Sequence, residues 1–474
     1  MEQLGKNEYL GEKGIGKLIF KFAFPCVISL LISSLYNLVD QIFVGNSKLG
    51  YLGNGATGVV FPVIVIAQAF AWFFGDGSAA YLSICQGRKD TERASKAIGT
   101  CLSLSFIASL ILAICSLVFM TPMLKAFGGT ENTLPLAKEY LFILLWFFPA
   151  FMLVNTFQCL IRADGSPIFS MVATGVGAVA NIALDPLFIY TFDMGMKGAA
   201  IATVIGQVLS FIVCALYLPR TKTFKLTWKT LIPDFENAKE AFELGISSLI
   251  TDLAIVVVSL TCNRILSKYG ASSKYGVDIP ISIMAIQTKV FTIVVNIVVG
   301  VVLGSQPIIG YNFGAKKIDR VKKAYLYILI ISIITGLIFT AFFVFYPQGV
   351  LRLFGSIDDP LYYEFGTTFF RIFLSTITLC CLIKMSCIFF QSIGHPIKAI
   401  ITSLVRDLLI FVPMMILLPY IGEKNNPGQG IMYSLYSPII ADVVAFIVCA
   451  ILTILLFKEF DKIEKETKLN IENN

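Results

Sequence analysis

Long apolar stretches constrain the fold of this chain more than any other feature of its sequence. Hydrophobic residues make up 57% of the 474 residues and charged residues only 14%, whereas an ordinary soluble protein has about 25% charged residues. The apolar residues form twelve runs of roughly 20 or more residues, each long enough to cross a lipid bilayer as a helix. The runs are continuous and do not alternate with polar residues, so they predict helices and not barrel strands. We therefore expect an all-α integral membrane protein with twelve transmembrane spans. Numbered in chain order, the predicted spans are 16–46, 54–85, 96–119, 134–160, 167–190, 197–218, 240–268, 280–310, 324–347, 361–391, 397–421 and 430–457.

Three segments of the chain occur twice. The copies are Gly87–Ala97 and Gly314–Ala324, Leu124–Gly128 and Leu351–Gly355, and Gly165–Pro167 and Gly394–Pro396. The separation is 227 residues for the first two pairs and 229 for the third. A nearly constant offset of almost half the chain predicts a duplicated architecture, and such repeats in membrane transporters place the substrate site between two halves.

The repeat divides the chain into two pseudo-symmetric lobes of six spans each. We predict an N-terminal lobe at residues 1–218, a cytoplasmic linker at 219–239, a C-terminal lobe at 240–457 and a cytoplasmic tail at 458–474. Because each lobe has an even number of spans, both lobes enter the membrane in the same orientation. A pseudo-two-fold axis along the membrane normal is then expected to relate them.

Lysine and arginine residues indicate the orientation in the membrane. Most of the 37 Lys and Arg residues lie in the termini and in the loops that follow even-numbered spans. Basic loops stay in the cytoplasm, so we predict that both termini are cytoplasmic. The net charge of +7 therefore reflects the basic residues that keep these loops and termini in the cytoplasm. The basic residues are dispersed among loops, which suits contact with anionic membrane lipid and argues against a nucleic-acid partner.

Carboxylates in the first half are the leading candidates for function, since ionisable residues inside a membrane span are costly. Asp40 lies in span 1, Asp76 in span 2 and Asp185 in span 5. Asn181 and Asp185 are spaced i,i+4 and share one helix face, and Pro186 frees backbone carbonyls beside them. These oxygens suit Na⁺, and a desolvated carboxylate can instead carry a proton. The simpler alternative is that both side chains only cap or pair within the bundle.

Several short motifs occur along the chain in a characteristic order. They are Tyr36–Gly45, Arg162–Pro167, Asn181–Pro186 with the pattern Asn-x-x-x-Asp-Pro, Gly195–Thr203, Phe242–Gly245, and the Gly87 and Gly314 loops. Together they resemble the multidrug and toxic compound extrusion (MATE) transporters, nearest to the bacterial branch that includes the staphylococcal multidrug exporter. The resemblance covers nearly the whole chain.

The resemblance implies a twelve-helix monomer in a bacterial plasma (inner) membrane that exports hydrophobic, mostly cationic organic compounds by alternating access. Export would be antiport against H⁺ or Na⁺, with no enzymatic activity and no cofactor. In this family the first lobe holds the coupling cation, and the residues that match are Asp40, Asn181, Asp185 and Thr203. The chain also lacks the Gly-rich loop with Lys and Ser/Thr that an ATP-driven pump needs.

The second half carries charges of both signs within its spans. They are Asp252 in span 7, Lys289 in span 8, Lys384 in span 10, Arg406 and Asp407 in span 11, and Asp442 in span 12. Buried opposite charges usually pair, so structural pairing is one expectation. The alternative is that Asp252, Lys289 or Lys384 lines the substrate cleft. A basic cleft would favour a flippase for a lipid-linked or anionic substrate on the same fold.

Three charged residues lie toward the predicted cytoplasmic ends of spans 2 and 4. Asp76, in Gly75-Asp-Gly77, is interpreted either as a proton-relay acid or as a group reached by cytoplasmic water. Arg162 and Asp164 are expected either to form an intracellular gate or to cap the end of span 4.

Overall fold

The computed structural model describes residues 4–354 and 359–472, and every regular element in these ranges is a helix. Ten of the described helices are long and apolar enough to cross a membrane, or up to 12 spans result if each of two bent pairs is one span. With each bent pair counted as one span, the spans in chain order are Ile15–Gly45, Leu52–Arg88, Thr91–Val118, Thr133–Trp146 with Phe148–Ala163, Pro167–Thr191, Gly195–Arg220, Phe235–Ala271, Asp278–Gly314, Ile318–Phe345, Pro360–Phe373 with Ile377–Ser392, Pro396–Asn425 and Gly430–Lys462. The all-α membrane fold is thus confirmed.

The order of elements repeats between the two halves. The bent pairs are the fourth and tenth spans, with bends of 61° and 47°. The third and ninth spans are each followed by a seven-residue helix, Met120–Ala126 and Pro347–Leu353. A π-helical segment lies in the fifth span at Leu187–Thr191 and in the eleventh at Val405–Phe411. The sequence repeat is therefore also a repeat of helix order and helix irregularity.

The repeated loops adopt the same unusual backbone conformation. Lys89 and Lys316 both have left-handed φ angles, 61° and 57°, which are uncommon for a residue with a side chain. Gly165 and Gly394 have φ angles of 86° and 80°, where glycine carries no steric cost. In both pairs the two residues occupy equivalent positions of the sequence repeat. Gly355, in another repeated segment, lies outside the described residues.

Spans 2 and 8 cross where the two copies of the repeated loop begin. A Cβ atom on Gly87 would overlap the carbonyl oxygen of Tyr311, and one on Gly314 would overlap the carbonyl oxygen of Ile84. The two glycines therefore allow the helix backbones to meet without an intervening side chain. Any larger side chain at these two positions would force the backbones of spans 2 and 8 apart.

We expect Gly87→Ala to lower the free energy of unfolding by about 1–3 kcal/mol, the usual cost of overpacking a fixed contact. The matched control is Gly58→Ala in the same span, because no atom lies within 4 Å of the added Cβ there. The control is expected to be neutral or to stabilise the helix by up to about 1 kcal/mol. Thermal unfolding of both purified variants in one detergent checks this. Equal melting temperatures would contradict the proposed close crossing.

The chain forms two compact units. Unit 1 comprises Met1–Asp252, Leu303–Lys317 and Gln391–Pro396, and unit 2 comprises Leu253–Val302, Ile318–Phe390 and Ile397–Asn474. Unit 1 thus joins the first half to the beginning of span 7, the end of span 8 and the turn before span 11. The division into lobes at 1–218 and 240–457 stays a prediction about the moving parts.

The polar segment after span 6 packs along unit 1. The Asp164 carboxylate accepts hydrogen bonds from the Tyr217 hydroxyl at 2.6 Å and from the backbone N–H groups of Lys222 and Thr223 at 2.8 and 2.9 Å. The Ser103 hydroxyl in span 3 donates to the carbonyl of Leu231 at 2.6 Å. Asp164 therefore anchors the predicted linker.

Candidate functional site

Four residues predicted to bind the coupling cation come together between spans 1, 5 and 6. The Asn181 Nδ2 atom donates to Asp185 Oδ1 at 3.3 Å and to Thr203 Oγ1 at 3.5 Å. The carboxyl groups of Asp40 and Asp185 lie within hydrogen-bonding reach of each other. Two adjacent carboxylates repel each other unless a proton or a cation is shared between them. The arrangement therefore favours a bound positive charge.

Several oxygen atoms in this cluster are buried without a hydrogen-bond donor. Asp40 is 8% exposed, Asn181 2% and Asp185 0%. Asp40 Oδ1, Asn181 Oδ1 and Asp185 Oδ2 have no hydrogen-bond partner. Buried polar atoms are nearly always satisfied, so three orphaned acceptors in one cluster need an explanation. A proton on a carboxyl group or a hard cation with oxygen ligands would satisfy these oxygens.

Local sequence explains why spans 5 and 6 hold these side chains so close. A Cβ on Gly177 would lie 2.7 Å from the Gly206 carbonyl oxygen, and one on Gly206 would lie 2.6 Å from that of Gly177. Small residues let two membrane helices approach backbone to backbone, which brings Asn181 within reach of Thr203. After Pro186 the helix continues as the π-helical segment, a feature found frequently at functional sites.

Two tyrosines near the cluster were not predicted from the sequence. Tyr140 of span 4 is 5% exposed, and its side chain hydrogen-bonds that of Thr203. Tyr36 lies one helical turn before Asp40, and its hydroxyl accepts from Gln207 Nε2 at 3.4 Å. A tyrosine hydroxyl within an otherwise apolar span was the one indication in the sequence that these residues could have a polar role. The residues around Tyr140 do not indicate that it meets spans 5 and 6.

The charges of the second half form a closed cluster in unit 2. Lys384 Nζ lies 3.0 Å from Asp407 Oδ2, and Arg406 Nη1 lies 2.5 Å from Asp407 Oδ1. Arg406 Nε lies 2.7 Å from Asp442 Oδ1, and the Thr376 hydroxyl donates to Asp442 Oδ2 at 2.6 Å. Two cations and two anions thus satisfy one another. The geometry has the form of structural pairing, and a substrate role for Lys384 stays a prediction.

The two halves place different chemistry at equivalent helices. In span 5, Asp185 lies two residues before the π-helical segment and belongs to a cluster whose buried oxygens have no hydrogen-bond donor. In span 11, Arg406 and Asp407 lie inside the π-helical segment and are paired. The first half is therefore the better candidate for binding a cation.

The remaining cleft candidates are not part of the first-half cluster. Asp252, 7% exposed on span 7, is the last residue of the first stretch of unit 1. Lys289 is half-buried on span 8 and belongs to unit 2. Their roles as substrate ligands stay predictions.

A sequence-family profile described as MatE matches residues 25–187 and 247–417. The chain therefore belongs to the MatE family, which confirms the resemblance seen in its motifs. It is 25% identical over 451 residues to the multidrug export protein MepA of Staphylococcus haemolyticus, a match that covers 94% of both chains. It is 27% identical over 312 residues to MepA of Staphylococcus aureus strain N315, covering 65% of this chain and 67% of that protein.

Solved structures share the fold. One, described as a MOP superfamily transporter from Pyrococcus furiosus, matches with a TM-score of 0.84 at 24% identity and covers 96% of this chain and 99% of that chain. Another, described as an outward-facing conformation of a multidrug resistance MATE family transporter, has a TM-score of 0.84 at 23% identity and the same coverage of 96% and 99%. At these identities the likeness establishes the fold alone.

Proposed function

We propose that this chain is an antiporter that exports hydrophobic, mostly cationic organic compounds in exchange for H⁺ or Na⁺. Membership of the MatE family and the similarity to staphylococcal multidrug export proteins support export of small organic compounds. Coupling to a cation is inferred from the buried oxygen atoms of Asp40, Asn181 and Asp185 that have no hydrogen-bond donor. Such a cluster binds a cation without any further cofactor.

The coupling follows from which helices carry the oxygens. Asp40 lies on span 1, whereas Asn181 and Asp185 lie on span 5. With the site empty, the two carboxylates repel each other and oppose close packing of these spans. A cation entering from outside removes the repulsion, changes the packing of span 1 and lowers the affinity for substrate, which then leaves outward. Return requires the cation to dissociate into the cytoplasm.

Both candidate ions suit the residues present. A proton needs only the Asp40–Asp185 pair. Sodium would be held by these carboxylates with the Asn181 amide oxygen and the Thr203 hydroxyl.

We further propose that the protein is a monomer in the bacterial plasma membrane, with both termini in the cytoplasm. Its two lobes, 1–218 and 240–457, move about the linker at 219–239.

The test is transport in proteoliposomes with a fluorescent organic cation and one imposed gradient at a time. We expect either a proton gradient or a sodium gradient to drive the dye against the direction of the ion. An ionophore specific for that ion should abolish the movement. If neither gradient moves any of several chemically different cationic dyes, coupled cation export is wrong.

A flippase for a lipid-linked or anionic substrate is the alternative. It needs a basic cleft, for which Lys289, Lys384 and Arg406 are the sequence candidates. The pairing of Lys384 and Arg406 with Asp407 and Asp442 argues against that role for two of these three charges. A fluorescent anionic lipid in the same proteoliposomes distinguishes the functions, because only a flippase would move it between leaflets.

A further inference from the structure

Span 2 is held between spans 4 and 7 at Gly75-Asp76-Gly77. A Cβ on Gly75 would lie 3.1 Å from the Cα of Thr156 in span 4, and one on Gly77 would lie 2.8 Å from the backbone nitrogen of Gly245 in span 7. All of these residues belong to unit 1. The two glycines thus bring two neighbouring helices to backbone distance on either side of Asp76.

The Asp76 carboxylate joins the same two spans. Its Oδ1 atom accepts from the Cys159 thiol at 3.2 Å and lies 3.8 Å from Arg162 Nη2, both on span 4. Its Oδ2 atom accepts from the Ser248 hydroxyl of span 7 at 3.2 Å. Asp76 is only 7% exposed, so these protein groups surround most of its carboxylate. Arg162 contacts this carboxylate and therefore does more than cap span 4.

The cluster is completed by Gln391 at the end of span 10. Gln391 Nε2 donates to Ser248 Oγ at 3.1 Å and to the carbonyl of Leu244 at 2.9 Å. Gln391 precedes Gly394 by the same spacing as Arg162 precedes Gly165, so the two are equivalent in the repeat. Equivalent residues of the two halves therefore reach one carboxylate, Arg162 directly and Gln391 through Ser248.

We propose that Asp76 is a positioning residue for transport, which accepts a hydrogen bond from Ser248 and thereby latches span 7 to the first half, toward the predicted cytoplasmic ends of spans 2 and 7. This inference rests on the alternating access of the proposed function, since the latch has to open when the transporter opens toward the cytoplasm. Both partners keep other contacts when this bond breaks. Asp76 Oδ1 keeps Cys159 and Arg162, and Ser248 keeps the hydrogen bond from Gln391. Asp76 Oδ2 loses the Ser248 hydroxyl and takes water in its place when this end of the transporter opens toward the cytoplasm.

The test compares Ser248→Ala with Ser247→Ala by hydrogen exchange and mass spectrometry of the full-length protein, without substrate or ion gradient. Ser247 is the matched control because it is buried and its hydroxyl donates to the Leu244 carbonyl of its own helix at 2.9 Å. We expect Ser248→Ala to increase exchange several-fold in peptides covering 241–250 and 75–88. The control should leave those peptides unchanged, and Ser248→Thr, which keeps the hydroxyl, should restore slow exchange.

Asp76→Asn provides a second variant of nearly the same shape, which removes the charge that attracts Arg162 and weakens the bond from Ser248. It should raise exchange in the same peptides without a rise across the remaining spans. Unchanged exchange in both latch variants, or an increase equal to that of Ser247→Ala, would overturn the latch. A purely structural role would instead raise exchange throughout unit 1. Because no transport is measured, this outcome is independent of whether cation-coupled export is correct.

Discussion

Asp185→Asn is expected to abolish cation-driven efflux while leaving the protein folded. Asparagine has nearly the shape of aspartate and can still accept the hydrogen bond from Asn181 Nδ2. It carries no negative charge, so the cluster loses the carboxylate that attracts the coupling ion. Asp40→Asn should have the same effect from span 1. Ion-driven dye movement in proteoliposomes measures the loss.

The matched control for these variants is Asp193→Asn. Asp193 is also an aspartate of the first half, but its side chain is 61% exposed and forms an ion pair with Lys48 away from the spans. Its replacement should leave efflux intact. The two site variants should unfold at the same temperature as the parent or higher, because each removes repulsion between buried carboxylates. Normal efflux from both Asp40→Asn and Asp185→Asn would refute the assignment.

The Asp40→Asn/Asp185→Asn double variant separates a shared site from two independent ones. Residues that act as one unit have strongly non-additive effects. If both carboxylates bind one ion, the double variant should transport no worse than either single variant. Two independent ion sites would instead leave partial efflux in each single variant, and only the double variant would lose it completely.

Features that depend on short stretches of sequence could be predicted. Apolar length specifies each span, and the repeat offset specifies the duplicated order of spans. The i,i+4 spacing of Asn181 and Asp185 already places both on one helix face. The contact of Asp185 with Asp40, by contrast, came only from family resemblance, because nothing in span 1 alone indicates which face of span 5 it meets.

Features that depend on packing between distant segments could not be predicted. The bend in span 4 falls just before Pro149, whose effect on the preceding residues was an available but unused signal. The roles of Tyr140 and Ser248 had no such signal, since each is defined by a partner more than 60 residues away. Hydroxyl groups are common in membrane helices, and only the fold shows which of them meet a carboxylate.

The same distinction applies to the second-half charges. The sequence predicted that opposite charges would pair but left the partners open. The structure pairs Arg406 with its neighbour Asp407, which an ordinary helix would direct away from it, and also with Asp442 of span 12. Both Arg406 and Asp407 lie in the π-helical segment Val405–Phe411, whose changed turn alters the side-chain directions. Regular helical spacing therefore could not give this geometry.

Arg406→Met is expected to have the largest effect on stability, a loss of about 3–5 kcal/mol in the free energy of unfolding. Arg406 is the central cation of the closed cluster, with Asp407 at 2.5 Å and Asp442 at 2.7 Å. Methionine fills similar space but leaves Asp442 with only the Thr376 hydroxyl as a partner. A buried carboxylate without a compensating charge is costly, so the cost exceeds that of losing one exposed pair. Thermal unfolding in detergent measures it.

Removing both members of the pair should cost less than removing the arginine alone. In Arg406→Met/Asp442→Asn no charge is left uncompensated at span 12, while Lys384 still pairs with Asp407 at 3.0 Å. The double variant should therefore recover much of the lost stability, a non-additivity that reports direct interaction. Lys48→Met serves as the control, since its ion pair with Asp193 is exposed and its loss should hardly matter. If Arg406→Met unfolds at the same temperature as Lys48→Met, Arg406 does not hold spans 11 and 12 together.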